Sequence, residues 1–533
     1  MVATYFNAAT YFVDRNLDEG RGDSIAIECG TERVTYRQVA ERVNRFGSAL
    51  RHCGLQSEQR IVLILQDTPA FAYSFFGAIK AGIVPVPLNT LWRAKDYQLA
   101  LNDSGARLLI ISEALLKEFL AIDRRDVPHL EHVVVVGQPP DGCLSFDTLL
   151  AESSPVLDAE RTHRDAMAFW LYSSGSTGSP KGCVHLQHDM WVCAESYAQG
   201  VLDLRASDRC FSAAKLFFAY GLGNALYMPF AVGATSILLP EAPTAPRVYD
   251  IIERHQPTLF FSVPTNFGML LAHFRQGSHL RQGYGGQARG QAHDGDFDLS
   301  SIRNAVSAGE ALPESLFRRF KQRFGVEILD AIGSTECLHM FIANRPGHVR
   351  PGSSGQVVPG YEARIVHDDG RPVLIGEIGN LLIKGDSTCA YYWNQHEKTK
   401  QTIQGEWIRT GDKYHQDEDG FYWYDGRTDD MLKAGGIWVS PIEIESVLID
   451  HDAVQECAVI GRDDGDGLSK PFAYVVLRAQ VSGSPELAAA LQQFVRERLA
   501  DYKRPRGVEF VPELPKTATG KLQRFKLRAA VNG

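Results

Sequence analysis

Short apolar runs alternate with longer amphipathic segments along the first part of the chain. Residues 61–65 (IVLIL), 83–87, 108–111 and 133–136 (VVVV) have the length and the β-branched content of strands. Residues 71–81, which lie between the first two runs, combine small and aromatic side chains in a helical pattern. Strand–helix alternation of this kind predicts parallel sheets that are covered by helices.

A second alternating stretch follows further along the chain, and a different pattern comes after it. Residues 236–239 and 259–263 have strand character and flank a helical pattern at 248–255. From residue 355 to 424, short strands are separated by Gly and Asp turns. This spacing indicates a small antiparallel β unit or barrel.

The C-terminal part of the chain has the pattern of a compact α+β module. Ser440 and Glu443 form the signature of a capping box with Pro441 at the first helical position, so a helix is expected there. A second helix is predicted from Ser484 to about residue 499, and strands are predicted at 457–461, 472–477 and 508–511.

These patterns predict an α/β protein with two domains. The large N-terminal domain, residues 1–428, contains the helix-covered sheets and the β-barrel-like unit, and the small α+β domain comprises residues 429–533. Residues 276–295 interrupt the pattern with Gly, Gln, His and Arg, and are interpreted as a surface insertion or a disordered loop.

Composition narrows the function classes. Of the 533 residues, 44% are hydrophobic and 22% are charged, a composition that is ordinary for a globular protein. The net charge of −9 gives no support for nucleic-acid binding. No apolar run approaches the roughly 20 residues of a membrane span, and we expect no signal peptide. Nine scattered cysteines without a C-x-x-C pair are typical of a reduced, cytoplasmic protein.

The stretch LYSSGSTGSPKG at 171–182 carries the strongest chemical signal. An apolar strand leads into a loop of hydroxyl side chains and glycines, in which Ser174, Ser176 and Thr177 add donors and Lys181 adds a cation. A loop with this many donors and a positive charge suits polyphosphate, although it departs from the common P-loop spacing. The alternative is a flexible Ser/Gly linker, but linkers rarely follow a strand and end in Pro-Lys-Gly.

Five further stretches contain residues suited to a nucleotide site. They are SAGE at 307–310, DAIGSTE at 330–336, WIRTGD at 407–412, GRTDD at 426–430 and PKTATGK at 515–521. Each alone has an ordinary interpretation as a turn or a solvated charge. Their joint presence in this order is what favours nucleotide binding. The second stretch places a carboxylate suited to Mg²⁺ at a strand end, and the third places Asp412, suited to ribose hydroxyls, after a strand.

In this order the motifs resemble the adenylate-forming superfamily, which includes acyl-CoA and aryl-CoA synthetases, adenylation domains and luciferases. The resemblance covers the chain from about Phe6 to Arg528. It implies a large domain that binds ATP and an acid, and a small mobile domain that rotates about a hinge, here Asp429. It also implies two half-reactions, adenylation of the acid by ATP and transfer of the acyl group to coenzyme A.

The resemblance assigns roles to individual positions. Thr335 contacts a phosphate, Glu336 holds Mg²⁺, Asp412 binds the ribose with help from Arg427, and Lys521 bridges the carboxylate and ATP. The resemblance places further nucleotide contacts at Ser174, Ser176, Thr177, Lys181, Ala308, Gly309, Glu310, Asp330, Gly333 and Ser334. The coenzyme A tunnel is expected at Gly435, Gly436 and Trp438.

The acid pocket is predicted from FFAYGLGN at 217–224 together with the stretch after Glu336. Phe218, Ala219, Tyr220 and His339 are the pocket candidates, because aromatic and small residues suit a flat ring, although aromatic core packing is a competing interpretation. Within the superfamily these stretches are most similar to benzoate-CoA ligases. A 4-hydroxybenzoate or other substituted-benzoate ligase, an enzyme that loads an aryl carrier protein, and a non-catalytic nucleotide-binding regulator are the alternatives.

Two further expectations concern partners and metals. PKTATGK fits the pattern on which synthetases of this kind are acetylated, which implies a lysine acetyltransferase acting on Lys521, and the resemblance also suggests a homodimer. His185 and His188 have metal-like spacing, but no third ligand accompanies them and they follow the phosphate loop directly, so we reject a zinc site.

Overall fold

The computed structural model describes residues 2–174, 180–280, 297–428, 432–434, 437–463, 469–516, 522–524 and 526–528. No helix within these residues combines the length and the apolar composition that a membrane span requires. All nine cysteines lie in the described residues and carry free thiols.

The strands follow one another along the whole chain and are numbered in chain order. They are β1 (Ile25–Cys29), β2 (Glu32–Thr35), β3 (Arg60–Ile64), β4 (Val84–Pro87), β5 (Leu108–Ser112), β6 (His132–Val136), β7 (Leu144–Ser145), β8 (Met167–Ser174), β9 (Pro180–Leu186), β10 (Arg209–Ser212), β11 (Thr235–Leu238), β12 (Leu259–Ser262), β13 (Asn304–Ser307), β14 (Ile328–Gly333), β15 (Met340–Ala343), β16 (Gln356–Val357), β17 (Glu362–Val366), β18 (Gly379–Lys384), β19 (Tyr391–Tyr392), β20 (Ile403–Gln404), β21 (Trp407–Gln416), β22 (Tyr422–Arg427), β23 (Leu432–Ala434), β24 (Ile437–Val439), β25 (Val454–Asp463), β26 (Ser469–Leu477) and β27 (Val508–Phe510).

The α-helices are numbered in the same way. They are α1 (Arg15–Asp18), α2 (Tyr36–His52), α3 (Pro69–Lys80), α4 (Ala94–Ser104), α5 (Leu116–Leu120), α6 (Phe146–Glu152), α7 (Asp189–Cys193), α8 (Ala219–Leu222), α9 (Met228–Val232), α10 (Ala245–His255), α11 (Pro264–Leu280), α12 (Glu314–Phe324), α13 (His396–Thr402), α14 (Pro441–Ile449) and α15 (Pro485–Arg496). Short π-helical segments at Thr10–Asp14, Ala194–Gln199 and Gly223–Tyr227 and 3₁₀ turns at Glu113–Leu115, Arg124–Asp126 and Asp501–Lys503 complete the helical structure of the described residues.

Two large sheets form the centre of the N-terminal part. One has nine strands in the order β16-β15-β14-β13-β12-β10-β11-β1-β2, and its six central strands from β14 to β1 are parallel. The other has five strands in the order β4-β3-β5-β6-β7, all of them parallel. The predicted α/β class with helix-covered parallel sheets is therefore confirmed.

Helices fill the space between the two sheets and cover their outer faces. Every residue of α3 is buried, as expected for a helix that is apolar on all sides. Side chains alternate along each strand: Ile61 and Leu63 of β3 join the core shared by both sheets, whereas Val62 and Ile64 pack on the opposite face. This alternation explains why the strands read as continuous apolar runs in the sequence.

A smaller antiparallel sheet follows in the chain. Its strands have the order β17-β18-β21-β20, and β22 pairs with β21 in addition. The antiparallel β unit predicted for 355–424 is therefore confirmed. Asp412 was expected just after a strand but lies inside β21, opposite Arg427 of β22. Gly411, with φ of +78°, permits this long strand to bend next to Asp412.

Residues 432–528 contain a separate α+β arrangement, here called the C-terminal module. The antiparallel pair β25–β26 and the parallel strand β27 pack against α14 and α15. Ser440 Oγ accepts the Glu443 N–H as predicted, but the Glu443 carboxylate binds Lys503 Nζ at 2.6 Å instead of closing a capping box. The predicted boundary at 428/429 stays a prediction, since the residues between Thr428 and Leu432 lie outside the described residues.

The predicted insertion at 276–295 is corrected at its start. Helix α11 runs to Leu280, so the first five residues of that segment belong to a helix. Residues 281–295 lie outside the described residues. Residues 276–280 are mostly polar, so they lack the apolar periodicity by which a helix is recognised in a sequence.

Candidate active site

The predicted nucleotide motifs meet at one edge of the nine-stranded sheet. The chain passes from β10 to β11 on one side of β10 and then returns to β12 on the other side, which makes a topological switch point. Ligands of open α/β sheets bind at the carboxyl ends of the strands next to such a point. The FFAYGLGN stretch follows β10, SAGE follows β13, and the GSTE turn follows β14.

Strands β8 and β9 bring part of the Ser/Gly loop to this edge. Ser173 pairs with Lys181 across the two strands, and both line the cleft described below. Burial, and then the positive charge of Lys398, lower the pKa of the Lys181 ammonium. The side chain of Ser174, together with Ser176 and Thr177, lies outside the described residues.

Glu336 is held at the edge of the cleft by two hydroxyl groups. Tyr392 donates to Glu336 Oε1 at 2.8 Å, and Ser173 donates to the same oxygen at 3.4 Å. Ser334 Oγ accepts the backbone N–H of Cys337, which closes the turn that carries Thr335. The sequence therefore places Thr335 and Glu336 correctly on a turn at a strand end.

Asp412 and Arg427 form an ion pair across β21 and β22. Arg427 Nη1 lies 2.9 Å from Asp412 Oδ1 and donates to the carbonyl of Thr410 at the same distance. Asp412 is only 8% exposed, yet it lines the cleft. A Cβ on Gly411 would approach Arg427 Nη2 to 2.8 Å, so a larger residue here would displace the guanidinium from its position beside Asp412.

The SAGE segment forms another wall of the cleft. Gly309 has φ of +91°, and the backbone N–H of Ala308 donates to the carbonyl of Ser262. Glu310 accepts from the Thr265 hydroxyl at 3.3 Å. Asp330, one strand away, lies opposite Ser307 and is buried, and this burial raises the pKa of its carboxyl group well above its usual range. Gly333 and Ser334 line the same cleft.

The acid-pocket candidates lie beside the GSTE turn. Tyr220 donates to the carbonyls of Val306 at 3.0 Å and Ser262 at 3.2 Å, and its ring lies 6.0 Å from that of His339. Burial lowers the pKa of His339 to about 3, so its ring is neutral and Nε2 donates to Asn224 Oδ1 at 3.1 Å. Ala219 is buried at the start of α8, and the rings of Phe217 and Phe218 are 4.3 Å apart.

Several polar groups around His339 are buried without a hydrogen-bond partner among the described atoms. Asn224 Nδ2, Tyr197 Oη and Asp330 Oδ1 are of this kind. The ring of Tyr197 lies 5.1 Å from that of His339. An unpaired buried polar group costs roughly 1–3 kcal/mol, so such a group beside a ligand pocket marks a place where a polar ligand atom or a water gains a partner.

A cleft of about 2780 Å³ connects these walls with the C-terminal module. Its lining includes Lys181, Glu336 and Asp412 from the N-terminal part, and Lys503 and Arg524 from the module. A volume of this size exceeds that of an ordinary single-ligand pocket. The predicted hinge Asp429, the tunnel residues Gly435 and Gly436, the side chain of Trp438 and the predicted catalytic Lys521 lie outside the described residues.

Sequence patterns missed several residues of the site. Tyr392 binds Glu336 from a distant strand, and Tyr197 and Asn224 surround His339 from separate helical segments. No local signal marks Tyr392 or Tyr197, because their contacts depend on how distant elements pack. Asn224 closes the FFAYGLGN stretch, so its position in the sequence does point to it.

The oxygen ligands present suit a hard cation. Magnesium is usually held by one or two carboxylates together with substrate phosphates, and it prefers oxygen ligands. Glu336 offers a carboxylate at the cleft, with Thr335 and Ser334 beside it. No cluster of three or more His, Cys, Asp or Glu that could bind a metal occurs among the described residues, and the rejected pair His185–His188 has other partners.

Comparisons with known proteins agree with this geometry. The family model for the AMP-binding enzyme matches residues 13–393, and the model for the AMP-binding enzyme C-terminal domain matches residues 443–521. The chain is 47% identical over 527 residues to benzoate–CoA ligase of Thauera aromatica, covering 98% of this chain and 96% of the relative. It is 44% identical over 532 residues to 4-hydroxybenzoate–CoA/benzoate–CoA ligase of Rhodopseudomonas palustris, covering 99% and 95%.

Solved structures give the same result. The anthranilate CoA ligase AuaEII in complex with anthranoyl-AMP is 44% identical, with a TM-score of 0.92 over 100% of this chain and 98% of that one. A benzoate CoA ligase from Burkholderia xenovorans LB400 is also 44% identical, with a TM-score of 0.87 over 98% and 100%. The resemblance found in the motifs is thereby confirmed, and the chain belongs to the family of AMP-binding enzymes, the adenylate-forming superfamily.

Proposed function

We propose that the protein joins an aromatic carboxylic acid, benzoate first, to coenzyme A through an acyl-adenylate, with release of AMP and pyrophosphate. The observation that carries this proposal is the loop between β14 and β15. Its first residues, Ser334 to Glu336, line the cleft, and its last residue, His339, lies against Tyr220. One short loop therefore borders both the phosphate site and a pocket with aromatic walls.

In the first half-reaction an oxygen of the substrate carboxylate attacks the α-phosphorus of ATP, and the bond to pyrophosphate breaks. The barrier arises chiefly because two anions must meet. Lys181 at the cleft and Lys521, as the resemblance implies, offset this repulsion and stabilise charge on the departing pyrophosphate. The substrate carboxylate is itself the nucleophile, so no side-chain nucleophile is required.

Glu336, with Thr335 beside it, is the group that would hold Mg²⁺ in this proposal. The ion supplies positive charge to the phosphates when it is bound. The hydrogen bonds from Tyr392 and Ser173 hold the Glu336 carboxylate in place, while Asp412 is available for the ribose hydroxyls with Arg427 beside it.

In the second half-reaction the sulfur of coenzyme A attacks the acyl carbon, and AMP leaves with the electron pair of the broken acyl–oxygen bond. The segment that contains Gly435, Gly436 and Trp438 is the proposed wall of the coenzyme A tunnel. Because adenylation and thioester formation share one cleft, we propose that the small domain is mobile, with Asp429 as its hinge. The domain then presents a different face to the cleft in each step.

A second candidate substrate class is favoured by the unpaired polar groups near His339. Asn224 Nδ2 and Tyr197 Oη have no hydrogen-bond partner among the described atoms, and a hydroxyl or amino group on the ring would supply one. The relatives named above include enzymes whose names specify 4-hydroxybenzoate and anthranilate. Substituted benzoates therefore stay candidate substrates beside benzoate.

Three further features belong to the same proposal. Nine free thiols fit a reducing cytoplasm. A homodimer and acetylation of Lys521 rest on the resemblance alone; removal of the lysine charge would stop adenylation while thioester formation continues. Loading of an aryl carrier protein in place of coenzyme A is the remaining alternative for the acceptor.

One assay tests the proposal. AMP and thioester formation from ATP and coenzyme A should be measured side by side with benzoate, 4-hydroxybenzoate, 2-aminobenzoate and a medium-chain fatty acid. We expect an aromatic acid to give the highest kcat/KM, with benzoate first. A preference for the fatty acid would contradict the pocket assignment, and pyrophosphate release without any thioester would point to a carrier protein.

A further inference from the structure

His185 is a fully buried histidine on β9 that the proposed function does not use. It lies four residues after Lys181 on the same strand, so both side chains project from the same face of β9. Its Nδ1 is 2.8 Å from Asp189 Oδ2, and its Nε2 is 2.8 Å from the backbone carbonyl of Thr335. The side chains of His185 and Asp189 are both 0% exposed.

The partners of His185 determine where its hydrogen is. A carbonyl oxygen only accepts, so Nε2 must carry a hydrogen and donate it to Thr335. Nδ1 and Asp189 then share a second hydrogen in a charge-assisted bond. Asp189 Oδ2 also accepts the backbone N–H of Leu186 at 3.0 Å, which fixes the carboxylate against the end of β9.

The ring of His185 is held in one orientation from the side as well. It stacks on Phe169 of β8, with centroids 5.2 Å apart and ring planes 20° apart. Two hydrogen bonds and one stacking contact together hold the imidazole in this orientation. The ring therefore acts as a rigid link between β9 and the turn that follows β14.

The turn at the other end of this link carries the groups proposed to meet ATP. Thr335 provides the carbonyl that binds His185, and Glu336 is the next residue in the chain. The Glu336 side chain is positioned by the hydroxyl of Tyr392, which lies on β19, the strand paired with β9. The Thr335 carbonyl also accepts the backbone N–H of Leu338 at 3.1 Å, within the turn itself. The His185 bond is therefore the one of the two that ties this carbonyl to β9, and without it the turn could shift relative to that strand.

We propose that His185 and Asp189 are positioning residues for adenylation, which set the distance between Lys181 on β9 and the Thr335–Glu336 turn. These are the two sides of the phosphate site in the proposed function, on which this inference rests. A displacement of about 1 Å at a catalytic group can lower a rate by about 100-fold. The effect should fall on the ATP-dependent step and not on thioester formation.

Two variants of His185 distinguish the effect of its bond to Thr335 from the effect of its bond to Asp189. Glutamine carries its amide nitrogen near the position of Nε2, so His185→Gln can still donate to Thr335. Asparagine carries its amide nitrogen near the position of Nδ1, so His185→Asn keeps a donor for Asp189 but loses the one for Thr335. Asp189→Asn, which keeps the ring but removes the charge that orients it, is a third variant in case both changes at His185 prevent folding.

The two half-reactions are measured separately for each variant. Adenylation is followed by exchange of labelled pyrophosphate into ATP, and thioester formation is followed from synthetic benzoyl-AMP and coenzyme A. We expect His185→Asn to lower kcat/KM for ATP by about 10- to 100-fold, His185→Gln to lose less than threefold, and Asp189→Asn to fall between them, with roughly twofold changes in the thioester step. His255→Gln, which alters a buried pair with Glu28 at 2.7 Å, is the matched control and should show no such split between the steps.

The outcomes distinguish this inference from the proposed function. Equal losses in both half-reactions, or equal losses in His185→Gln and His185→Asn, would overturn the positioning role while wild-type turnover upholds the proposed function. If the wild type adenylates no aromatic acid, titration calorimetry with ATP alone still decides, since His185→Asn must then bind ATP more weakly than His185→Gln.

Discussion

Asp67 is a buried carboxyl group that joins the two parallel sheets. It follows β3 and accepts the backbone N–H of Leu216, which lies in the loop after β10, at 3.1 Å. Its nearest cation is Lys215, with Nζ at 3.6 Å from Oδ2. Burial outweighs both favourable partners and raises the pKa of Asp67 from 3.8 to about 6.

This pKa predicts a pH-dependent stability. An acid whose pKa is raised in the folded state binds its proton more tightly there than in the unfolded state. The stability that this proton contributes to the fold is therefore complete below the unfolded pKa, and it is lost as the pH rises through about 6. Asp67→Asn cannot ionise. Between about pH 4 and 7, we expect the wild type to lose about 2–3 kcal/mol of unfolding free energy relative to Asp67→Asn.

Urea unfolding of both proteins at several pH values measures this difference. Exposed Asp141→Asn serves as the control and should follow the wild type across the range. A constant difference between Asp67→Asn and the wild type from about pH 4 to 7 would show that Asp67 keeps an ordinary pKa in the folded protein.

Asp412 carries a prediction about nucleotide binding. Its carboxylate is oriented by Arg427 and proposed to accept both ribose hydroxyls. A hydrogen bond to a charged group contributes about 1.5–3 kcal/mol, so Asp412→Ala should raise the KM for ATP by about 10- to 100-fold. Steady-state kinetics at saturating acid provide the measurement. Asp419→Ala, in the turn of the same hairpin, is the control, and a similar rise there would contradict the ribose assignment.

At the scale of single elements, the helical segment after Phe218 packs directly on His339. A Cβ on Gly223 would lie 2.5 Å from His339 Cδ2 and 2.9 Å from the Tyr227 hydroxyl. Gly223→Ala must therefore displace the imidazole, with an overpacking cost of about 1–3 kcal/mol. We expect the KM for the aromatic acid to rise about tenfold while the KM for ATP changes less.

Kinetics with each substrate varied in turn test this expectation. Gly268→Ala on α11, where an added Cβ meets nothing within 4 Å, controls for a general effect of alanine on stability. It should leave the melting temperature unchanged or raise it slightly. Equal rises in both KM values for Gly223→Ala would indicate a global distortion and not a change in the acid pocket.

Elements with strong local signals were predictable from the sequence. The buried strands, α3 and the turn after β14 each follow from apolar runs and turn residues that lie next to one another in the chain. The position of Asp412 inside β21 was not predictable, because it depends on pairing with β22. The bond from His185 to Thr335 joins residues 150 positions apart, so no local pattern could reveal it.

The Glu443 side chain does not close the predicted capping box, and the reason is again a contact between residues that are distant in the sequence. Ser440 behaves as its sequence context predicts, because its bond to the Glu443 N–H is local. The Glu443 side chain has a competing partner, Lys503, which lies 60 positions away in the chain. A charged partner binds a carboxylate more strongly than a backbone N–H does, so the tertiary contact prevails.

At the scale of the whole molecule, the apolar cores divide into two groups. The clusters around both large sheets contain residues up to Tyr424, whereas the clusters of the C-terminal module contain residues from Leu432 onwards. Among the residues that the structure describes, the two groups share no member. Separate cores of this kind predict that the module can unfold by itself.

The buried pair Arg524–Glu445 tests this independence. Arg524 Nη2 contacts both carboxylate oxygens, at 2.8 and 2.7 Å, and Glu445 also accepts the backbone N–H of Val459 at 2.6 Å. Arg524→Met removes this cation from a buried carboxylate, and breaking such a pair costs about 3–5 kcal/mol. Only the module should lose stability.

Calorimetry is the measurement, with Arg496→Met, an exposed arginine of the same module, as the control. We expect two transitions in the wild type, of which Arg524→Met lowers only one, and limited proteolysis should then cut the variant first within residues 429–533. If a single transition shifts as a whole, both cores unfold together. The proposed rotation of the small domain would still be possible, because a domain can rotate about a hinge as a rigid body without unfolding.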